Sequence, residues 1–151
     1  MGKTHPDYAI SLNNIGSALN STGRYEEALK CYQECLAIQE KTLGMAHPEY
    51  ATSLNNIGMI LYKTRKHEEA LKYHQKCLEI REKVLGKTHP EYAISLNNIG
   101  SALDIKGKYE EALNYFEECL EIQEKILGKT HPHYATSLNN IGSVLQRMGR
   151  Y

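Results

Sequence analysis

The chain repeats itself every 42 residues, and this period constrains its fold more than any other feature. His5-Pro6-Asp7-Tyr8-Ala9 returns as His47-Pro48-Glu49-Tyr50-Ala51, as His89-Pro90-Glu91-Tyr92-Ala93, and as His131-Pro132-His133-Tyr134-Ala135. Ser-Leu-Asn-Asn-Ile-Gly comes next each time, beginning at Ser11, Ser53, Ser95 and Ser137. A fixed period of about 20–50 residues marks a solenoid. One unit cannot bury its own apolar face, so copies stack and share a core. The repeats fall at 3–44, 45–86 and 87–128, with a partial repeat at 129–151, and read as a single array over 1–151. A finer alternation overlies the period: Ile10 and Ile94 alternate with Thr52 and Thr136, and Gln39 and Gln123 flank Arg81. Tyr151 stands where a further helix should begin, so the array reads as a piece of a longer one.

Each repeat reads as two helices. In the third, Thr88-His89-Pro90-Glu91 has the form of a capping box, with the Thr hydroxyl serving an orphan amide and the Glu reaching back. Pro90 suits the first turn, where its missing N–H does no harm. Ala93, Leu96, Ile99, Gly100 and Leu103 then form one apolar stripe at 3–4 spacing. Gly107 ends that helix. The second helix carries Tyr109, Ala112, Leu113, Phe116, Cys119, Leu120 and Ile122, and Gly128 closes it. Ala46 in place of the Thr, and His133 in place of the acid, predict helix starts weaker by about 0.5–1 kcal/mol in the second and fourth repeats. First helices are expected at about 5–22, 47–64, 89–106 and 131–148, and second helices at about 25–43, 67–85 and 109–127. That makes seven helices and no strand. Gly16, Gly58, Gly100 and Gly142 are small where the two helices of a repeat should approach closely.

Composition narrows the function. Lys and Arg number 18, as do Asp and Glu. The chain lacks the basic excess of a nucleic-acid binder or of a polybasic membrane-surface protein. No apolar run approaches the roughly 18 residues needed to cross a bilayer, and the start does not read as a secretory signal. Cys35, Cys77 and Cys119 recur with the repeat and read as small buried core residues, while Cys31 completes no zinc spacing. Free buried thiols suit a reducing cytosol, so a cytoplasmic location is expected. Four histidines belong to the recurring His-Pro loop, and His67 and His74 replace aromatic residues, which reads as structure and not as metal ligation. Adjacent carboxylates such as Glu26 and Glu27 point to different sides of a helix. No phosphate loop or nucleophile elbow is present, so neither catalysis nor a cofactor is expected.

Leu12-Asn13-Asn14-Ile15-Gly16, followed by Gly23-Arg24-Tyr25-Glu26-Glu27-Ala28, resembles the tetratricopeptide repeat (TPR). The 42-residue spacing and the run from Glu79 to Gly86 before His-Pro resemble the long repeat of kinesin light chains. The heptad coiled coil that joins those proteins to their heavy chain has no counterpart here, so the likeness is to the repeat type. The resemblance implies an all-α, right-handed superhelix of about three and a half repeats. Its first helices would line a concave groove that holds a short peptide of a protein partner.

Carried over position by position, the groove candidates begin with the column Ile10, Thr52, Ile94 and Thr136. Next comes the ladder Asn13, Asn55, Asn97 and Asn139, whose amides suit an extended backbone. Tyr62, Lys63, Asp104 and Arg147 stand in columns that vary between repeats. The resemblance places Arg81 facing the groove. The neighbouring Asn14, Asn56, Asn98 and Asn140 are expected to bond between helices. The lysine clamp that other TPR proteins use for chaperone tails has no match. The alternative expectation is a structural or self-associating repeat fragment. Leu138, Ile141 and Leu145 on the last helix should leave apolar surface bare and favour end-to-end stacking.

Overall fold

The computed structural model describes residues 5–149. Four helices start at the recurring prolines: α1 (Pro6–Ser21), α3 (Pro48–Lys63), α5 (Pro90–Ile105) and α7 (Pro132–Arg147). Between them lie α2 (Tyr25–Thr42), α4 (His67–Leu85) and α6 (Tyr109–Leu127). Among the described residues there is no strand. The seven expected helices are present, with ends within one or two residues of those read from the period. Tyr151, the expected start of a further helix, lies outside the described residues. None of the described helices is long and apolar enough to cross a membrane.

The capping device differs from the expected one. Nδ1 of His5, His47, His89 and His131 accepts the backbone N–H of Asp7, Glu49, Glu91 and His133, at 3.1 Å in every repeat. The histidine, not Thr88, holds the extended N-cap backbone, with φ −83° and ψ 141° at His89. Proline at the first helical position has no N–H, so the next amide is the first orphan donor, and a neutral imidazole reaches it. The second and fourth repeats form the same histidine bond as the third, while the first turn of α7 lacks the acid that α3 and α5 carry.

The chain divides after Ile80 into two compact units. In unit 1, α1 and α2 close over Ala9, Leu12, Cys35 and Ile38. A second cluster joins Ala28 and Tyr32 of α2 to Ile57, Ile60 and Leu61 of α3 and Ala70 of α4. A third joins Tyr50, Ala51 and Leu54 of α3 to Cys77 of α4. The hairpins close at glycines: a Cβ on Gly16 would stand 2.8 Å from the Tyr32 ring, and one on Gly58 would stand 2.7 Å from the His74 ring. In unit 2, Gly100 meets the Phe116 ring at 2.7 Å in the same way, while Gly142 on α7 has nothing within 4 Å.

The recurring cysteines are buried as expected. Cys35, Cys77 and Cys119 each donate Sγ–H to a carbonyl of the paired first helix, Ala9, Ala51 or Ala93, at 3.2 Å. Burial pushes the Cys35 and Cys119 thiols up from their ordinary pKa. On α7, Val144 is buried, whereas Leu138 is exposed and Ile141 and Leu145 are half-buried. Apolar surface is thus bare there, as read from the sequence.

Candidate partner-binding surface

The first helices carry the candidate residues, and within each unit those residues turn toward one another. In unit 1, Asn56 Nδ2 donates to Asn13 Oδ1 at 3.1 Å. In unit 2, Asn140 Nδ2 donates to Asn97 Oδ1 at 2.7 Å. In each unit, then, an asparagine of the second column bonds between helices, as expected, and its acceptor is an asparagine of the first column. Asn55 is buried, with Nδ2 at 3.5 Å from Met59 Sδ, and Asn139 is exposed.

The variable columns pair in the same sense. Lys63 Nζ lies 3.3 Å from Asn20 Oδ1 and 5.7 Å from the centroid of the Tyr25 ring. Arg147 grips Asp104 through both of its forks, Nε to Oδ1 at 2.9 Å and Nη2 to Oδ2. Tyr62 sets its ring edge-on to His67, with centroids 5.0 Å apart. Side chains of the two columns thus meet across neighbouring first helices in each unit.

Arg81 is 3% exposed. Its Nη1 donates to Ser95 Oγ at 2.9 Å and to the Glu91 carbonyl at 3.0 Å, and its Nε lies 3.9 Å from the Glu91 carboxylate. In the equivalent places, Gln39 Oε1 accepts from Ser53 Oγ at 2.5 Å, and Gln123 Oε1 accepts from Ser137 Oγ. Ser53, Ser95 and Ser137 are buried sockets for the preceding second helix, a role sequence reading missed. The available signal was a serine in every repeat, always fourteen residues after the Gln/Arg column.

Beside each of the two glutamines lies a recess. In unit 1 it measures about 360 Å³ and is bounded by Ile10, Asn13, Gln39, Glu49, Thr52 and Ser53. In unit 2 the corresponding recess measures about 200 Å³ and is bounded by Ile94, Asn97, Gln123, His133, Thr136 and Ser137. The walls correspond, except that Glu49 in one stands where His133 does in the other and that Ala9 adds to the first. An apolar recess of about 140 Å³ adjoins the second, walled by Pro90, Ile94, Ile122, Ile126 and Leu127 beside His131. Of these residues, Ile10, Ile94, Thr52 and Thr136 stand at the expected groove positions. Glu49, His133 and Ile126 were not identified. Among the described residues no group of three or more His, Cys, Asp or Glu is placed to hold a metal.

Repeated helical hairpins closed at a glycine and keyed by one polar ladder define a helical-repeat protein. The family model described as tetratricopeptide repeat matches residues 7–83, 49–125 and 105–151, and the chain belongs to that family. Among solved structures it is similar to BtubC (BKLC) from P. vanneervenii, at TM-score 0.88 and 24% identity over 96% of this chain and 58% of that one. It is also similar to the nearly identical TPR-like repeats of a Podosopora anserina protein named for kinesin light chain, at TM-score 0.87 and 25% identity over 97% of this chain and 69% of that one. The apo form of RapI matches at TM-score 0.81 and 20% identity, over 95% of this chain and 50% of that one. No curated protein matches. The fold is the all-α TPR solenoid with kinesin-light-chain-like neighbours. The family generally mediates protein–protein interaction and is generally non-enzymatic.

Proposed function

We propose that this chain is an interaction scaffold whose first-helix faces hold an extended segment of a partner protein. The observation that carries this reading is the pair of recesses at equivalent positions of the two units. Each combines an exposed isoleucine with a threonine and an amide of the asparagine ladder. Such walls offer apolar contact with a few polar groups that set orientation. Asn13 and Asn97 each engage Oδ1 in the ladder and leave the amide N–H₂ for a backbone carbonyl. Tyr62, Lys63, Asp104 and Arg147 tune the neighbouring surface through the pairs they form. Arg81, with its donors turned inward, supports the surface from beneath. The buried reduced thiols favour the cytoplasm as the place of action.

The test is a panel of short peptides on immobilised protein, read with the wild type and with Ile10→Glu and Ile94→Glu. Both isoleucines are exposed, so the fold survives the change. Binders should lose at least tenfold in affinity; a panel whose binders ignore both substitutions refutes the surface assignment. A second reading, end-to-end self-association, draws on Ile15 (51% exposed) and Leu138 (46% exposed), whose counterparts Ile57 and Leu54 are buried. Sedimentation across concentration decides it: a mass that rises with concentration, and falls on Leu138→Glu, supports association, and a constant monomer mass excludes it.

A further inference from the structure

We infer that the recess of unit 1 is a subsite for a cationic side chain of the partner segment, arginine in particular. The inference rests on the scaffold reading above and deepens it. The protein supplies its own template. In unit 2 a guanidinium, that of Arg81, lies against Ser95 Oγ, the Glu91 carbonyl and the Glu91 carboxylate. The equivalent acceptors in unit 1 are Ser53 Oγ, the Glu49 carbonyl and the Glu49 carboxylate. The side chain that faces them is Gln39, which is shorter than arginine, uncharged and bonded through Oε1 to Ser53. The Glu49 carboxylate is exposed and forms no ion pair among the described residues. The space a guanidinium would occupy is the recess itself.

Three physical features favour arginine there. The acceptors at Ser53 and Glu49 are separate groups, which the several fixed donors of a guanidinium can reach together better than a point-like ammonium can. Ala9 and Ile10 on the wall give the aliphatic stem an apolar surface to lie on. A carboxylate at the rim of a recess with low-dielectric walls attracts a cation more strongly than one standing clear of the protein. The recess of unit 2 provides the internal control. Its isoleucine, amide and hydroxyl walls are equivalent, but His133 replaces the carboxylate. It should not take arginine.

The probe is the blocked tripeptide acetyl-Ala-Arg-Ala-amide, titrated into the isotope-labelled protein and followed by amide chemical shifts. Its citrulline analogue, which has the same shape without the charge, is the comparison. We expect saturable shifts at Gln39, Thr52 and Ser53 with the arginine peptide, weaker at high salt, and none at Gln123, Thr136 or Ser137. Glu49→Gln should weaken binding at least tenfold. Gln39→Arg should abolish it by filling the site from within, as Arg81 does. His133→Glu should create a second site in unit 2. Equal shifts with the citrulline peptide, or binding unchanged by both Glu49→Gln and Gln39→Arg, would overturn the inference. The outcome separates from that of the scaffold reading. Panel peptides that bind yet ignore Glu49→Gln leave the scaffold and remove the cation subsite. An arginine tripeptide that titrates while no panel peptide binds leaves the subsite and removes the scaffold.

Discussion

In unit 1, α3 is packed from two sides: α2 meets it through the Tyr32 cluster, and α4 covers it through Cys77 and His74. In unit 2, α7 meets α6 and the Asn97 rung of α5, but no described helix covers its other side. The two helices carry nearly the same residues. Leu54 is 1% exposed and Leu138 is 46% exposed. Gly58 lies beneath a ring, and Gly142 beneath nothing. The joints on the preceding side, however, use the same bonds: Ser53 to Gln39 and Ser137 to Gln123, Asn56 to Asn13 and Asn140 to Asn97. In a repeat array, then, a residue's type sets what it can bury, while its neighbours set what it does bury. Within each unit the amide rung between the two first helices forms, whether or not a further helix covers the second of them.

The largest contrast between α3 and α7 should lie at the leucines. Leu54→Ala leaves a void in a closed core and should cost about 2–5 kcal/mol. Leu138→Ala, at a half-open site, should cost less than about 1 kcal/mol, because little burial is lost. Denaturant titration of the two variants measures both, and equal costs would mean that α7 is covered in solution. The glycines give a contrast of sign. Gly100→Ala forces a methyl into the Phe116 ring and should destabilise by about 1–3 kcal/mol. Gly142→Ala meets open space within a helix and should stabilise by about 0.5–1 kcal/mol.

An alkaline titration probes the buried phenols, Tyr92 above all. Burial, and then the Glu118 carboxylate 3.3 Å from its hydroxyl, push Tyr92 up to about 12 from an ordinary 10.0. The folded state holds that proton more tightly than the unfolded state does. Its contribution is therefore full below pH 10 and is lost as pH rises from 10 toward about 12. Burial pushes Tyr32 and Tyr50 up as well, so tyrosinate absorbance should show a late-ionising fraction that shrinks in Tyr92→Phe, with unfolding steeper for the wild type over that window. The smallest effect belongs to the exposed pairs. A double-mutant cycle on Asp104 and Arg147 should give a coupling of about 0.2–1 kcal/mol, and the Asn20–Lys63 cycle less, since only one partner there is charged.

Much of the fold was legible in the residues alone. His-Pro starts, glycine stops and a 3–4 apolar spacing act within one turn, so they report helix ends to within a residue or two. The close approach at Gly16, Gly58 and Gly100 was legible because a missing side chain opposite an aromatic one has few other uses. The cap was misread because Thr88 and His89 are adjacent and both can accept. Only backbone geometry decides which occupies the N-cap. The site was less legible still. Arg81, Asp104 and Arg147 look alike as surface charges along a helix, and whether each faces solvent or a neighbour depends on a partner 10 to 43 residues away.

The order of residues was enough for the repeat, the seven helices, the buried thiols and the family, because each rests on contacts inside one hairpin that every copy makes. The pairing of the asparagine columns, the burial of Arg81 and the openness of the recess beside Glu49 came from packing alone. Those depend on how one hairpin meets the next. A guanidinium or an amide can fill the same socket, since Arg81 and Gln39 each meet the serine fourteen residues on, and only the packed structure shows which polar atoms each leaves for its surroundings.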